Sequence, residues 1–268
     1  MKCIFVSDLH GYPGRYEALY DLVSREEPDA VFMGGDLLPV KDVANFFQEY
    51  ISRRTKAFPT RFFAIMGNDD PRGYEPLFVE ADGRGDLEYI HMRPKILGDL
   101  WVIGYSYVPP TPFMLKDWER YDVSRYVDVG CIHPDEGIRT VEQEDDGLKT
   151  IKEDLEEISL LTPPESTIYL FHSPPYGTSL DLTGNTGILV DHAPVDTHVG
   201  SISIKNFIEE RKPLLTLHGH IHESALLTGS WKERIGETYA LSAAHNGPEL
   251  AVVCFDTERR DRATRMLL

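Results

Sequence analysis

Residues 214–222 read LLTLHGHIH, a short apolar run that ends in a cluster of histidines. Residues 3–10, CIFVSDLH, show the same design at the other end of the chain, where Asp8 and His10 follow the apolar run. In each stretch two polar residues, separated by one apolar residue, stand where a buried strand is expected to end. Imidazole and carboxylate groups together suit a first-row divalent metal. The two stretches therefore predict metal ligands that only folding can bring together.

Three further apolar stretches end in the same way. Residues 29–36 end in two glycines and Asp36, residues 61–70 in Gly67-Asn68-Asp69-Asp70, and residues 167–172 in His172. In α/β sheets, functional sites lie outside the carboxyl ends of the strands. One zinc-like ion takes about four ligands, and the five strand ends offer more, which predicts two ions that share a carboxylate. The candidate metal ligands are Asp8, His10, Asp36, Asn68, His172, His220 and His222.

In their order along the chain, these motifs resemble the signature of the calcineurin-like metallophosphoesterases: D-x-H, G-D, G-N-H-D/E, H and G-H-x-H. The ordered set spans residues 8–222 and is far more specific than any single motif. The resemblance implies an α/β fold, a four-layer α/β/β/α sandwich in which two central mixed sheets are flanked by helices. It implies one metal at Asp8, His10, Asp36 and His222. It implies a second metal at Asp36, Asn68, His172 and His220, with Asp36 as the bridge.

The implied activity is metal-dependent hydrolysis of a phosphoester bond. Two divalent ions (Mn, Fe, Zn, Co or Ni) lower the pKa of a bridging water toward neutrality, and the resulting hydroxide attacks phosphorus in line. Asn68 and His222 are predicted to be catalytic as well as ligands, because they can bind or stabilise the phosphate oxygens. No covalent intermediate with the enzyme is required.

The residue after Asn68 departs from the family pattern. The family usually has a histidine there, which is thought to protonate or stabilise the leaving group, whereas this chain has Asp69. A carboxylate beside two metals is normally ionised, and it is then a poor proton donor unless its pKa is raised. Asp69 is therefore a predicted catalytic residue whose role stays open. Water, a protonated Asp69 and a residue on the rim of the site are the alternatives for protonating the leaving group.

Three functions are consistent with these motifs. The leading hypothesis is a phosphodiesterase acting on a small nucleotide-like or lipid-headgroup-like ester, because relatives without this histidine often prefer diesters or activated esters. The first alternative is a phosphomonoesterase of the same mechanism. The second is a scaffold of this fold that binds proteins without catalysis. Retention of all seven ligands argues against the scaffold, which has no chemical need for them.

The composition points to an acidic cytoplasmic protein. The chain has 268 residues and a formal net charge of −17, which argues against a broad basic surface for duplex nucleic acid and favours small phosphate esters. Solubility alone is an equal explanation of the acidity. Three widely spaced cysteines predict neither disulfides nor a zinc finger, and they fit a reducing cytoplasm. No stretch reaches the ~18–20 apolar residues of a membrane span, and no secretory signal is expected at the N-terminus.

The motifs at both ends serve one site, so residues 1–268 are expected to form a single domain. Apolar periodicity predicts helices around residues 16–23, 43–51, 148–158 and 204–208. Short strands predicted at residues 225–228, 238–242 and 250–255 suggest a second, largely antiparallel sheet at the C-terminal end. Residues 105–146 and 173–200 are predicted to be long loops.

The second loop begins at His172, so it is expected to form the substrate rim. The rim candidates are Tyr176, Asp191, His192 and His198. Among the other polar residues, Asp70 is expected to orient the Asn68 loop, and His218 is expected to be a buried histidine beside the ligands. His91 is expected at the surface, because no partner pattern accompanies it.

Overall fold

The computed structural model describes residues 1–142, 149–184, 189–190 and 192–268. Four predicted features lie wholly or partly outside these ranges. They are Asp191 on the predicted rim, residues 143–146 of the first loop, residues 185–188 of the second loop and residue 148 of the third predicted helix.

Most of the strands are short, apolar and buried on both faces, as strands covered by other layers are. In chain order they are β1 (Lys2–Val6), β2 (Ala30–Gly34), β3 (Arg61–Ile65), β4 (Glu88–Tyr89), β5 (Lys95–Leu97), β6 (Leu100–Tyr105), β7 (Thr167–Phe171), β8 (Leu189–Val190), β9 (Ala193–Pro194), β10 (Leu215–His218), β11 (Lys232–Ile235), β12 (Thr238–Ser242), β13 (Ala251–Asp256) and β14 (Thr264–Leu267).

Helices form in the four regions where the apolar periodicity predicts them, and the structure adds helices at Arg53–Lys56, Glu75–Arg84 and Ser224–Thr228. In chain order the helices are α1 (Pro13–Glu26), α2 (Val43–Phe46), α3 (Arg53–Lys56), α4 (Glu75–Arg84), α5 (Ile151–Ile158), α6 (Ile202–Arg211) and α7 (Ser224–Thr228). A π-helical segment, Phe47–Ser52, joins α2 to α3. Local chemistry explains several ends: Pro13 opens α1, and Thr150 with Glu153 forms a capping box at the start of α5.

Two six-stranded mixed sheets form the centre of the molecule. The first has the strand order β14-β13-β1-β2-β3-β4, and the second has the order β11-β12-β10-β7-β6-β5. The strands that precede the candidate ligands are parallel within their sheets: β1 with β2 and β2 with β3 in the first, and β7 with β10 in the second. Their carboxyl ends therefore meet at one edge of each sheet.

The alternation of side chains along the strands builds the four layers. Alternate residues of β1, such as Cys3 and Phe5, pack with Leu170 and Leu217 of the second sheet. The residues between them, such as Ile4, join the core that includes the helices. Each sheet therefore buries one face against the other sheet and one against helices, which confirms the predicted α/β/β/α sandwich.

The predicted C-terminal sheet is wrong. Residues 225–228 belong to helix α7, which ends at Gly229 in the left-handed conformation. β12 runs parallel to β10 in the second sheet. β13 extends the first sheet antiparallel to β1, and β14 pairs antiparallel with β13 at the edge of that sheet. A run of three apolar residues and a threonine does not distinguish a strand from a short helix. The sheet that a strand joins depends on contacts distant in sequence.

His91 is buried, contrary to the surface position expected for it. Its Nδ1 accepts a hydrogen bond of 3.1 Å from the Ser106 amide. Its ring lies 4.9 Å from the Trp118 ring and 5.5 Å from the Tyr107 ring, between ring centroids. Residues 106–142, predicted to be a loop, contain no helix or named strand, but they supply part of this aromatic packing. No helix in the described part of the chain is long and apolar enough to cross a membrane.

Candidate metal centre

The turns after β1 and β2 hold each other in place at the carboxyl edge of the first sheet. The Asp8 amide donates to the Gly35 carbonyl at 3.0 Å, and the His10 amide donates to the Asp36 carbonyl at 2.8 Å. The turn after β10 joins them, because the His220 amide donates to the Asp8 carboxylate at 3.1 Å. Backbone amides thus join three turns that are far apart in the chain, two through backbone carbonyls and one through the Asp8 side chain.

Four candidate ligands form a first cluster. The nearest ligand atoms of Asp8, His10, Asp36 and His222 all lie within 4.8 Å of one another. The Nε2 atoms of His10 and His222 are 3.2 Å apart, and His222 Nε2 is 3.3 Å from Asp8 Oδ1. Nitrogen and oxygen ligands that face one another at these distances suit a divalent cation.

The remaining candidates form a second cluster around His172. Its Nε2 lies 3.0 Å from Asn68 Oδ1 and 3.3 Å from Asp36 Oδ2. The rings of His172 and His220 have centroids 5.2 Å apart. His172 Nδ1 lies 2.8 Å from the Gly34 carbonyl, which can only accept, so Nδ1 carries a hydrogen and Nε2 faces the cluster. Asp36 belongs to both clusters, as the resemblance implies for a bridging carboxylate.

The backbone at the site is unusual. Asp8, His10, Asp36 and His220 have φ angles of 59°, 48°, 53° and 73°. Such angles are uncommon outside glycine and cost of order 1–3 kcal/mol unless the surroundings impose them. Gly67 must be a glycine, because a β carbon there would stand 2.6 Å from the Asp36 amide nitrogen. The strained turns and this close approach aim the ligand side chains at a common point.

The carboxylates and histidines of the site shift one another's pKa values. Burial favours the neutral form of the Asp8 carboxyl, but the hydrogen bond and charge of His222 outweigh it and lower the pKa. Burial acts likewise on Asp36, and His172 lowers its pKa. The pKa of His172 rises to about 10, because the Asp36 charge outweighs the effect of burial. The carboxylates therefore favour positive charge at this place, and a divalent cation supplies it without protons. By this chemistry of the donor set, the residues fit the dinuclear centre that the family implies.

Asp69 lies beside the first cluster and is exposed, with 55% of its side chain in contact with solvent. Its amide donates to Asp36 Oδ1 at 2.8 Å, and its Oδ2 is 3.7 Å from His10 Nδ1. Asn68 Nδ2 donates to Asp69 Oδ1 at 3.1 Å. The pKa of Asp69 is raised, first by burial of part of the carboxyl and then by the charge of Asp36. Without bound cations, Asp69 therefore keeps its proton to a higher pH than an ordinary aspartate.

Asp70 holds two ligand-bearing turns together. Its carboxylate accepts hydrogen bonds from the amides of Leu37, Leu38 and Gly67, at distances of 2.8–3.1 Å. Burial and the charge of Asp36 raise its pKa to about 7 despite these bonds. The contacts match the orienting position expected for Asp70. His218 is also placed as expected: it is buried, and its two ring nitrogens contact the Ser173 carbonyl and the Thr216 hydroxyl at 2.9 and 2.8 Å.

Sequence reasoning missed Arg15. Its Nη1 donates to the Asp8 carbonyl at 2.7 Å, its Nη2 donates to the Gly247 carbonyl, and its Nε lies 3.4 Å from the Pro248 carbonyl. The residue therefore joins the turn of the candidate ligand Asp8 to the loop between β12 and β13. An arginine in the first turns of an amphipathic helix carries no pattern that distinguishes it from a solvent-exposed one.

Two of the rim candidates, His198 and Tyr176, contact carboxylates of the same loop. His198 Nδ1 lies 2.8 Å from the buried carboxylate of Asp181, and the Tyr176 hydroxyl donates to Asp196. His192 is exposed. The Gly184 amide donates to Glu223 Oε1 at 3.1 Å. The loop thus contacts Glu223, the residue that directly follows His222.

Comparison with known proteins indicates the family of this chain. The model of the calcineurin-like phosphoesterases matches residues 1–224, and none of the curated proteins matches the chain. Protein TT1561 of Thermus thermophilus is similar in structure, with 16% identity, coverage of 99% of this chain and 98% of that chain, and a TM-score of 0.62.

Two further structures are similar at lower identity. A novel archaeal phosphodiesterase shares 10% identity, with full coverage of both chains and a TM-score of 0.50. A 5'-nucleotidase precursor from Thermus thermophilus shares 11% identity, with coverage of 100% of this chain and 54% of that chain, and a TM-score of 0.51. At these identities the likenesses show the fold alone. Because the family model spans residues 1–224, the chain belongs to the calcineurin-like phosphoesterases and is a hydrolase of phosphoester bonds.

Proposed function

We propose that the protein is a dinuclear phosphodiesterase that acts on a small ester. The observation that carries this proposal is the convergence of the seven candidate ligands in two clusters that share Asp36. Divalent cations bound there would supply Lewis acidity and an activated water. We assign one ion to Asp8, His10, Asp36 and His222. We assign the other to Asp36, Asn68, His172 and His220.

The chain's own residues position the phosphate and the metals. Asn68 presents its Oδ1 toward His172, and its Nδ2 donates to Asp69, which leaves one amide hydrogen for a phosphate oxygen. His222 is partly exposed and is the second group that can hold a phosphate oxygen. In the net reaction, a water oxygen bonds to phosphorus, the P–O bond to the leaving group breaks, and one proton passes to the departing oxygen.

The position of Asp69 supports a diester rather than a monoester. A monoester phosphate carries close to two negative charges near neutral pH, whereas a diester carries one. The exposed Asp69 carboxylate repels the more highly charged phosphate more strongly, in a protein whose net charge is already −17.

A phosphomonoesterase is the second candidate, and the raised pKa of Asp69 is the observation that favours it. A protonated Asp69 would remove the repulsion and donate a proton at the same time. The two candidates predict opposite orders of rate for a matched diester and monoester.

The proposal also includes a single-domain organisation and a cytoplasmic location. Both sheets contribute ligands to one centre, so residues 1–268 act as a single domain. All three cysteines, Cys3, Cys131 and Cys254, are free, which supports a reducing, cytoplasmic location.

The decisive experiment compares bis(4-nitrophenyl) phosphate with 4-nitrophenyl phosphate after reconstitution with Mn, Fe, Zn, Co or Ni. The leaving group is the same, so the ratio of kcat/KM reports the preference for a diester. We expect the diester to react faster with at least one metal and a chelator to abolish the activity. A faster monoester would establish the second candidate. A metal content of no more than one ion at this cluster would contradict the dinuclear assignment.

A further inference from the structure

Two large apolar side chains stand in solvent on the turns that carry metal ligands. Tyr12 lies two residues after His10 and is 57% exposed. Val40 lies four residues after Asp36 and is 98% exposed. Single exposed apolar residues are common on protein surfaces. A pair on the two turns that meet at the metal centre is a more specific arrangement.

The two turns are in direct contact. The Gly11 amide donates to the Leu37 carbonyl at 3.0 Å. A β carbon on Gly11 would collide with Pro39, so the two backbones touch at this point. Gly11 directly precedes Tyr12, and Pro39 directly precedes Val40. The two apolar side chains therefore begin from neighbouring backbone positions at the border of the site.

The Tyr12 ring is held in place rather than free. The guanidinium carbon of Arg15 lies 4.9 Å from the centre of the ring. Arg15 is itself anchored by its hydrogen bonds to the carbonyls of Asp8 and Gly247. Such a cation–π contact stabilises the ring even at an exposed site. A ring fixed before binding loses less conformational entropy when it contacts a ligand.

We propose that Tyr12 and Val40 form a subsite for an aromatic group of the substrate, esterified to the phosphate at the metal centre. The inference rests on the proposed function and names the class of ester that it acts on. A fixed tyrosine ring favours an aromatic partner, which can take offset-stacked or edge-to-face geometry against it. Val40 adds apolar contact from the neighbouring turn. A nucleobase and a simple aryl alcohol share this chemistry.

The test uses three diesters that share 4-nitrophenolate as the leaving group. The other group is methyl, phenyl or thymidine 5'. Because the leaving group is constant, its pKa does not affect the comparison. We expect kcat/KM to be about tenfold higher for the phenyl ester than for the methyl ester. An equal gain with thymidine identifies a nucleobase as an accepted group, whereas a gain with phenyl alone identifies an aryl alcohol.

Matched variants locate the effect. Tyr12→Ala should bring the phenyl-to-methyl ratio close to one, and Val40→Ser should lower it several-fold. Arg15→Lys, which keeps the charge but not the planar group, should give an intermediate ratio. The controls are Tyr126→Ala and Leu160→Ser, which remove side chains of 70% and 83% exposure from loops without candidate ligands. Both controls should leave the ratio unchanged.

Binding measurements separate this inference from the proposed function. Calorimetry of phenylphosphonate and methylphosphonate on the metal-reconstituted protein tests the subsite without turnover. Absence of turnover for every ester, combined with tighter binding of phenylphosphonate that Tyr12→Ala removes, would contradict the function and keep the subsite. Equal kcat/KM values for the methyl and phenyl esters, together with equal dissociation constants for the two phosphonates, in the unaltered protein would overturn the subsite. An equal loss in Tyr126→Ala would overturn it as well.

Discussion

The imidazoles of the metal centre and the imidazole of His91 occupy opposite settings. His10 and His222 face each other and the Asp8 carboxylate through their Nε2 atoms. His91 is packed among aromatic rings, and its Nδ1 accepts a hydrogen bond from the Ser106 amide. The comparison teaches that burial does not identify a ligand histidine, since His91 and His172 are both buried. A ligand is identified by the other ligand atoms that its ring nitrogens face.

The largest expected effect follows from Asp36, which serves both clusters. We expect Asp36→Ala to lower kcat/KM by roughly 10³-fold or more, since it removes a charge from both proposed ion sites. The fold should persist, because the residue lies at a sheet edge and not in the apolar core. Hydrolysis and metal content measured on the same sample test this. Substantial turnover with metal supplied would show that Asp36 is not the bridge.

Substitution of Asp69 by histidine is expected to increase the rate of hydrolysis rather than lower it. General-acid help is typically worth ~10²–10⁴-fold, and an ionised aspartate supplies little of it. We expect Asp69→His to increase the hydrolysis of esters with poor leaving groups by about 10²-fold, and that of 4-nitrophenyl esters much less. A plot of rate against the pKa of the leaving group, for both proteins, measures the effect. A flat plot for the unaltered protein would indicate another acid, and His198 and His192 are the residues to test next.

Asp70 tests the support of the ligand turns. Asp70→Asn keeps the size of the side chain but leaves one oxygen where two now accept three amides, so some bonds to Leu37, Leu38 or Gly67 are lost. Removal of such supporting groups typically lowers metal affinity or activity by about 10–100-fold. Calorimetric metal titration and kcat provide the measurement. Asp86→Asn is the control, because Asp86 pairs with Arg84 and Ser52 outside the site; equal losses would contradict the assignment.

The smallest expected effect concerns His91 and appears in stability, not activity. Burial and neighbouring arginines lower its pKa to about 3 in the folded state, whereas its unfolded value is ~6.5. As the pH falls between these two pKa values, the unfolded chain binds a proton at His91 and the folded protein does not. Protonation therefore favours the unfolded state, and the stability present above the unfolded pKa is progressively lost. The loss from this one group approaches about 1.4 kcal/mol per pH unit.

His91→Asn retains an acceptor for the Ser106 amide and removes the titration. Its free energy of unfolding, from urea titrations near ~pH 7 and ~pH 5, should depend less on pH than that of the unaltered protein. Hydrolysis should be unaffected. An unchanged pH dependence would mean that His91 is protonated in the folded state, and lost activity would place His91 in the catalytic region.

Much of the fold follows from local sequence patterns. The strands before Asp8, Asp36, Asn68, His172 and His220 were predictable, because each is a short apolar run that a polar residue or glycine ends. The order of the motifs was enough for the resemblance to the family, and with it for the four layers. The helix at residues 224–228 was not predictable, since its length and composition suit a strand equally well.

The sequence by itself therefore determined the strands, the set of candidate ligands and the absence of the usual histidine at Asp69. Only the tertiary structure decided that β13 and β14 join the sheet of β1, that His91 is buried, that Arg15 donates to the Asp8 carbonyl and that four candidate ligands take left-handed backbone angles. The reason is physical. A strand's apolar pattern is a property of neighbouring residues, whereas sheet partners, backbone strain and the surroundings of a ring nitrogen depend on groups that approach only when the chain folds.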